Sequence, residues 1–95
     1  MPDWSNRKID GGRYAVLREL GQGGHAQVFL AVDHRLDREV VLKLPRRSLL
    51  DEPGFVERFR REIRALVRLA HPHVVRVLDQ GDHEGVPFAV LEYMR

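Results

Sequence analysis

Three features of the chain could do chemistry on a phosphate: the run Gly21-Gln22-Gly23-Gly24-His25-Ala26-Gln27-Val28, a lysine at 43 and a glutamate at 62. Glycines spaced as Gly21-x-Gly23 leave backbone bare of side chains, so that amide N–H groups can come close to an anion. The same residues also suit an ordinary tight hairpin, and the pattern alone does not choose between the two. Lys43 is one of two lysines against fourteen arginines, so a lysine in an apolar stretch calls for a reason. A compact ammonium meets phosphate as a point charge in a confined place. The alternative is a side chain snorkelling off an edge strand into water. Glu62 can turn toward a cation on a sheet, or it can stay solvated and pair with Arg58 one helical turn earlier. The histidines offer little for metal: His71 and His73 flank Pro72 with no third ligand at a suitable spacing.

These groups need elements to hold them. Period-two alternation predicts strands over residues 14–20, 26–33 and 38–44, the last stopped by Pro45, with turns at 21–25 and 34–37. In the third strand Val41 and Lys43 share one face and Val40, Leu42 and Leu44 the other. The period then lengthens: Val56, Phe59, Ile63, Leu66, Val67 and Ala70 fall within one arc of about 100° on a helical wheel. This predicts a helix over 53–70, capped by Asp51 and ended by His71-Pro72, with Glu62 at the rim of the buried stripe. Strands over 74–80 and 86–93 follow, joined across 81–85. The expected fold is α+β, a five-stranded antiparallel sheet with one packed helix. Residues 1–13 read as a flexible lead-in in which Trp4 packs loosely.

Ninety-five residues exclude a second domain, and 43% hydrophobic with 32% charged residues is globular composition. A net charge of +2 is too mild to imply nucleic acid, and the mixed charges of the helix read as a solvated face. With no cysteine there is no disulfide or thiolate chemistry. No apolar run is long enough for a signal peptide or a membrane span, so the expected compartment is the cytoplasm.

In a dinucleotide-binding fold the glycines would open a helix, and in a Walker loop they would end in Gly-Lys-Ser/Thr; here a strand follows them. In order along the chain, the glycine run, Val40-Val41-Leu42-Lys43, Phe59-Arg60-Arg61-Glu62-Ile63, His71-Pro72-His73-Val74-Val75 and Phe88-Ala89-Val90-Leu91-Glu92-Tyr93-Met94 resemble the N-terminal lobe of a serine/threonine protein kinase, most like bacterial members. The resemblance covers residues 14–95. It implies an ATP-binding lobe in which the glycine-rich loop (Gly21, Gln22, Gly23, Gly24, His25, Ala26) covers the phosphates. Lys43 would contact the α and β phosphates and pair with Glu62 of helix C in an active-like state. Val28 and Val41 would pack on the adenine with Leu91 behind it, and the backbone of Glu92 and Met94 would bond its edge.

Two positions depart from the family pattern. Ala26 replaces the third glycine and Val41 stands where alanine is usual, which implies weaker ATP binding. No His-Arg-Asp, Asp-Phe-Gly or Ala-Pro-Glu occurs in the sequence; His34-Arg35-Leu36-Asp37 lies upstream of Lys43, in a turn. The resemblance therefore implies an incomplete kinase domain. Its catalytic Asp, its Mg2+ ligands and its contacts to a protein substrate belong to an absent C-lobe, and this chain would be inactive alone. A pseudokinase-like or scaffold lobe that binds a protein partner is the alternative.

Overall fold

The computed structural model describes residues 4–68 and 76–93, with side chains as far as Arg64 in the helix. Six strands, β1 (Lys8–Ile9), β2 (Tyr14–Gln22), β3 (Ala26–Asp33), β4 (Arg38–Pro45), β5 (Val77–His83) and β6 (Val86–Glu92), form one antiparallel sheet in the order β1-β2-β3-β4-β6-β5. A short 3-10 turn at Arg47–Leu49 and the helix α1 (Phe55–Arg68) lie between β4 and β5. The turns have local causes. The Asp33 carboxylate accepts the amides of Arg35 and Leu36 at 3.0 and 3.3 Å, which closes the β3–β4 connection. Glu84 and Gly85, both at positive φ (51° and 81°), make the two-residue turn that suits the twist of β5 and β6.

The sheet has one strand more than expected, and it lies in the segment read as a lead-in. Ile9 is fully buried and pairs with Tyr14. Trp4 is not loosely packed: it is 4% exposed, donates its indole N–H to the Pro45 carbonyl at 2.8 Å and lies under the Arg47 guanidinium. Both are single apolar residues in a polar run, so no periodicity announces them.

Other boundaries shift for physical reasons. β2 runs two residues beyond its expected end because Gly21 and Gln22 still pair with Val28 and Gln27. The helix starts at Phe55 rather than at 53. Gly54 has φ of 78°, outside the helical region, and its carbonyl accepts the amide of Arg58 at 3.1 Å, so the cap position falls there and not on Asp51. β5 begins at Val77 and takes in Gly81, Asp82 and His83 of the expected 81–85 connection. The expected helix end at 69–70, the strand start at 74–75 and the segment 71–73 lie outside the described residues, as do the side chains of Leu66 and Val67.

The two faces of the sheet have different partners. Phe29, Ala31, Val40, Leu42, Leu44, Phe88 and Val90 cluster with Trp4, Ile9, Tyr14 and Val16. Tyr14 of β2 meets Phe88 of β6 edge-on at 5.9 Å although β3 and β4 lie between their strands, so the sheet is strongly coiled. On the opposite face Ala26 and Ala89 receive Phe55, Phe59 and Ile63 of α1. Phe55, absent from the expected stripe, is 4% exposed.

Candidate functional site

Register puts the candidate residues side by side. Gly21 pairs with Val28, Val28 with Lys43, Lys43 with Ala89 and Ala89 with Gln80, so one row crosses five strands. The row beside it joins Leu30, Val41 and Leu91. Directly opposed residues share a face, so Val28, Val41, Lys43, Ala89 and Leu91 all stand on the face that receives α1. Val41 is 8% exposed and Lys43 half-buried. Lys43 is on a strand flanked on both sides, so it does not snorkel off an edge.

The hairpin above this row is closed by the Gly23 amide donating to the Ala26 carbonyl at 2.9 Å. A Cβ added at Gly21, Gly23 or Gly24 would meet nothing within 4 Å, and none of the three is at positive φ. Neither packing within the lobe nor backbone conformation requires a missing side chain here. What the glycines keep clear is space outside the protein. Among the described residues the amides of Gly24 and His25 donate to no protein acceptor, which leaves two N–H groups for an anion. The residues present therefore fit a bound phosphate chain: bare backbone, free amides, and an ammonium in the same row as Gly21.

The structure does not bring Lys43 and Glu62 together. Among the described residues no ion pair joins Lys43. Glu62 instead accepts a hydrogen bond from His25 Nε2 at 2.8 Å, with both side chains about half exposed. The His25 ring stands edge-on to Phe55 and Phe59, at 6.3 and 6.4 Å between centroids, which aims Nε2 along the helix flank where Glu62 emerges. Under this contact lies a cavity of about 290 Å³ lined by Leu49, Glu52, Phe55 and Phe59. Glu62 is not paired with Arg58 either. At the sheet end, the Glu92 amide donates to the Arg76 carbonyl at 2.9 Å; Met94 lies outside the described residues.

The Arg13 guanidinium holds the buried Asp33 carboxyl below its usual range. Burial pushes the Tyr14 hydroxyl up to about 12. Among the described residues no cluster of His, Asp and Glu could hold a metal ion, and no helix is long and apolar enough to cross a membrane.

Comparison with known proteins gives the chain's family. Residues 14–95 match the protein kinase domain family. The chain is 43% identical over 86 residues to a probable serine/threonine-protein kinase, pknA2, of Bifidobacterium longum, and 42% identical over 83 residues to serine/threonine-protein kinase PrkC of Bacillus subtilis. Each alignment takes in 87% of this chain, which spans 11% and 13% of those relatives. Among solved structures, a double-mutant form of the Mycobacterium tuberculosis PknI kinase domain superposes with a TM-score of 0.69 at 28% identity, over 98% of this chain and 36% of that one.

Proposed function

Because this chain belongs to the protein kinase domain family, as an N-lobe of the bacterial serine/threonine type, we propose that it is the ATP-binding lobe of an enzyme that phosphorylates protein hydroxyl groups. The observation that carries this reading is the row Gly21–Val28–Lys43, roofed by glycines that nothing inside the lobe requires. ATP would supply the γ-phosphoryl group, and Mg2+ held by a C-lobe would neutralise its charge. The chain's own residues bind and orient. The amides of Gly24 and His25 donate to phosphate oxygens, and the half-buried Lys43 adds a positive charge in the same row as Gly21. Val28, Val41 and Leu91 form an apolar wall for a flat base, and Glu62 is the carboxylate that restrains Lys43 when the helix is in its active position. The carbonyl of Glu92 and the amide of Met94 are assigned to the edge of the base. A cytoplasmic location goes with ATP as co-substrate.

Positioning alone does not transfer a phosphoryl group. The carboxylates that orient the acceptor hydroxyl and hold Mg2+ have no counterpart among the motifs of this sequence, so the 95-residue chain is inactive by itself. The engagement of Glu62 by His25 instead of Lys43 favours a second reading, a pseudokinase-like lobe that binds a protein partner. Incubation with γ-labelled ATP and a basic protein substrate separates the two. The chain joined to a C-lobe carrying His-Arg-Asp and Asp-Phe-Gly is expected to label the substrate, and the chain alone is not. Failure of the joined form to label anything would support the scaffold reading.

A further inference from the structure

The tip of the glycine hairpin is held by two side chains from outside the sheet's own hydrogen bonding. Arg46 donates Nε and its terminal nitrogen to the Gly23 carbonyl at 3.3 and 3.0 Å, and its amide donates to the His25 carbonyl at 3.0 Å. Glu62 holds the His25 ring from the helix at 2.8 Å. The hairpin is thus pinned down toward α1, across the cavity between them. Both members of the Glu62 contact are about half exposed, so it is a weak, solvent-screened pair that can be given up at small cost. Lys43, meanwhile, has no ion pair among the described residues.

We infer that His25 and Lys43 are alternative partners of Glu62, and that the His25–Glu62 contact, helped by Arg46 on Gly23, is a latch that holds the glycine hairpin against the helix and withholds Glu62 from the lysine. The inference rests on the reading of Lys43 and Glu62 as a nucleotide-site pair. A site that must open before it binds shows an affinity reduced by the fraction of molecules already open, so loosening the latch tightens nucleotide binding. The His25 ring makes no contact that the sheet core needs: its neighbours are Glu62 and the edges of Phe55 and Phe59, and removing it leaves the buried faces of those rings on Ala26 and Ala89.

The test titrates MgATP into the full chain and into its His25→Ala, Glu62→Gln and doubly substituted forms, with Lys43→Met as a control on the site. Amide exchange of residues 22–27 is recorded alongside. His25→Ala is expected to bind about two- to fivefold tighter, the range set by a half-exposed ion pair. The hairpin amides are expected to exchange faster, and the gain should vanish in the Glu62→Gln background. Unchanged or weaker binding by His25→Ala, where Lys43→Met still abolishes binding, overturns the latch and leaves the nucleotide site standing. A gain that persists in the Glu62→Gln background overturns it too, because the effect then does not pass through Glu62. No MgATP binding by any form overturns both the latch and the site.

Discussion

Arg13 grips Asp33 with two parallel hydrogen bonds, Nε to Oδ1 at 3.1 Å and a terminal nitrogen to Oδ2 at 3.0 Å, at the end of the sheet remote from the glycine hairpin. The carboxylate is buried and also accepts the two amides of the β3–β4 turn. Its acidity is strengthened by Arg13 first and by those amides after it, against the opposing effect of burial. Asp33→Ala leaves the part-exposed Arg13 with only its longer contact to Asp79 and frees the two turn amides, and is expected to cost about 1–2 kcal/mol in denaturant unfolding. The pH dependence follows from the direction of the shift. A carboxyl whose folded pKa lies below its unfolded value, near 3.9, stabilises the fold fully above that value and loses this as pH falls through the folded one. The acid limb of the stability profile should therefore flatten in Asp33→Asn.

Tyr14 gives the opposite limb. Its hydroxyl is buried with no partner among the described residues, and burial raises its pKa to about 12 from an ordinary 10.0. The folded chain keeps a proton there that the unfolded chain releases, so stability falls as pH rises from 10 toward 12. Tyr14→Phe removes an unsatisfied polar group while keeping the ring on Phe88. Thermal melts should show it as stable as the parent or slightly more so at neutral pH, with the alkaline loss reduced.

Trp4 ties the N-terminal segment to the strand that carries Lys43, through the Pro45 carbonyl and Arg47. Trp4→Ala is expected to cost about 3 kcal/mol, as removal of a large buried side chain does. A change of under ~0.5 kcal/mol in chemical denaturation would show that the segment is a mere appendage.

How much of this was legible in the sequence depended on whether a residue belonged to a run. Lys43 and Val41 share a face because strand parity says so, and the register bears it out. The helix stripe through Val56, Phe59 and Ile63 was plain from its period. Trp4 and Ile9 were not legible, because an isolated apolar residue buries itself only once the rest of the sheet exists to receive it. Gly54 moved the helix start by a backbone angle that composition does not reveal. The contact of His25 with Glu62 spans 37 positions and depends on how far the hairpin leans toward the helix, a tertiary quantity with no local signal.

Lys43→Arg keeps the charge and the long apolar stem, so the melting temperature should move little, within about 1 kcal/mol of stability. The wider, planar guanidinium cannot occupy the same point beside a phosphate and also reach Glu62. In the chain joined to a C-lobe, turnover should be abolished or nearly so with the fold intact, measured on one preparation. Full activity would remove Lys43 from the mechanism.

The central claim is that the surface under the glycine hairpin is a nucleotide site. A two-dimensional amide NMR titration of the chain with MgATP tests it most directly. The account predicts saturable shifts at Gly21, Gly23, Gly24, His25 and Ala26, together with Val41, Lys43 and Leu91, all weakened by Lys43→Met. Shifts absent at millimolar nucleotide, or confined to residues remote from the Gly21–Val28–Lys43 row, would contradict it.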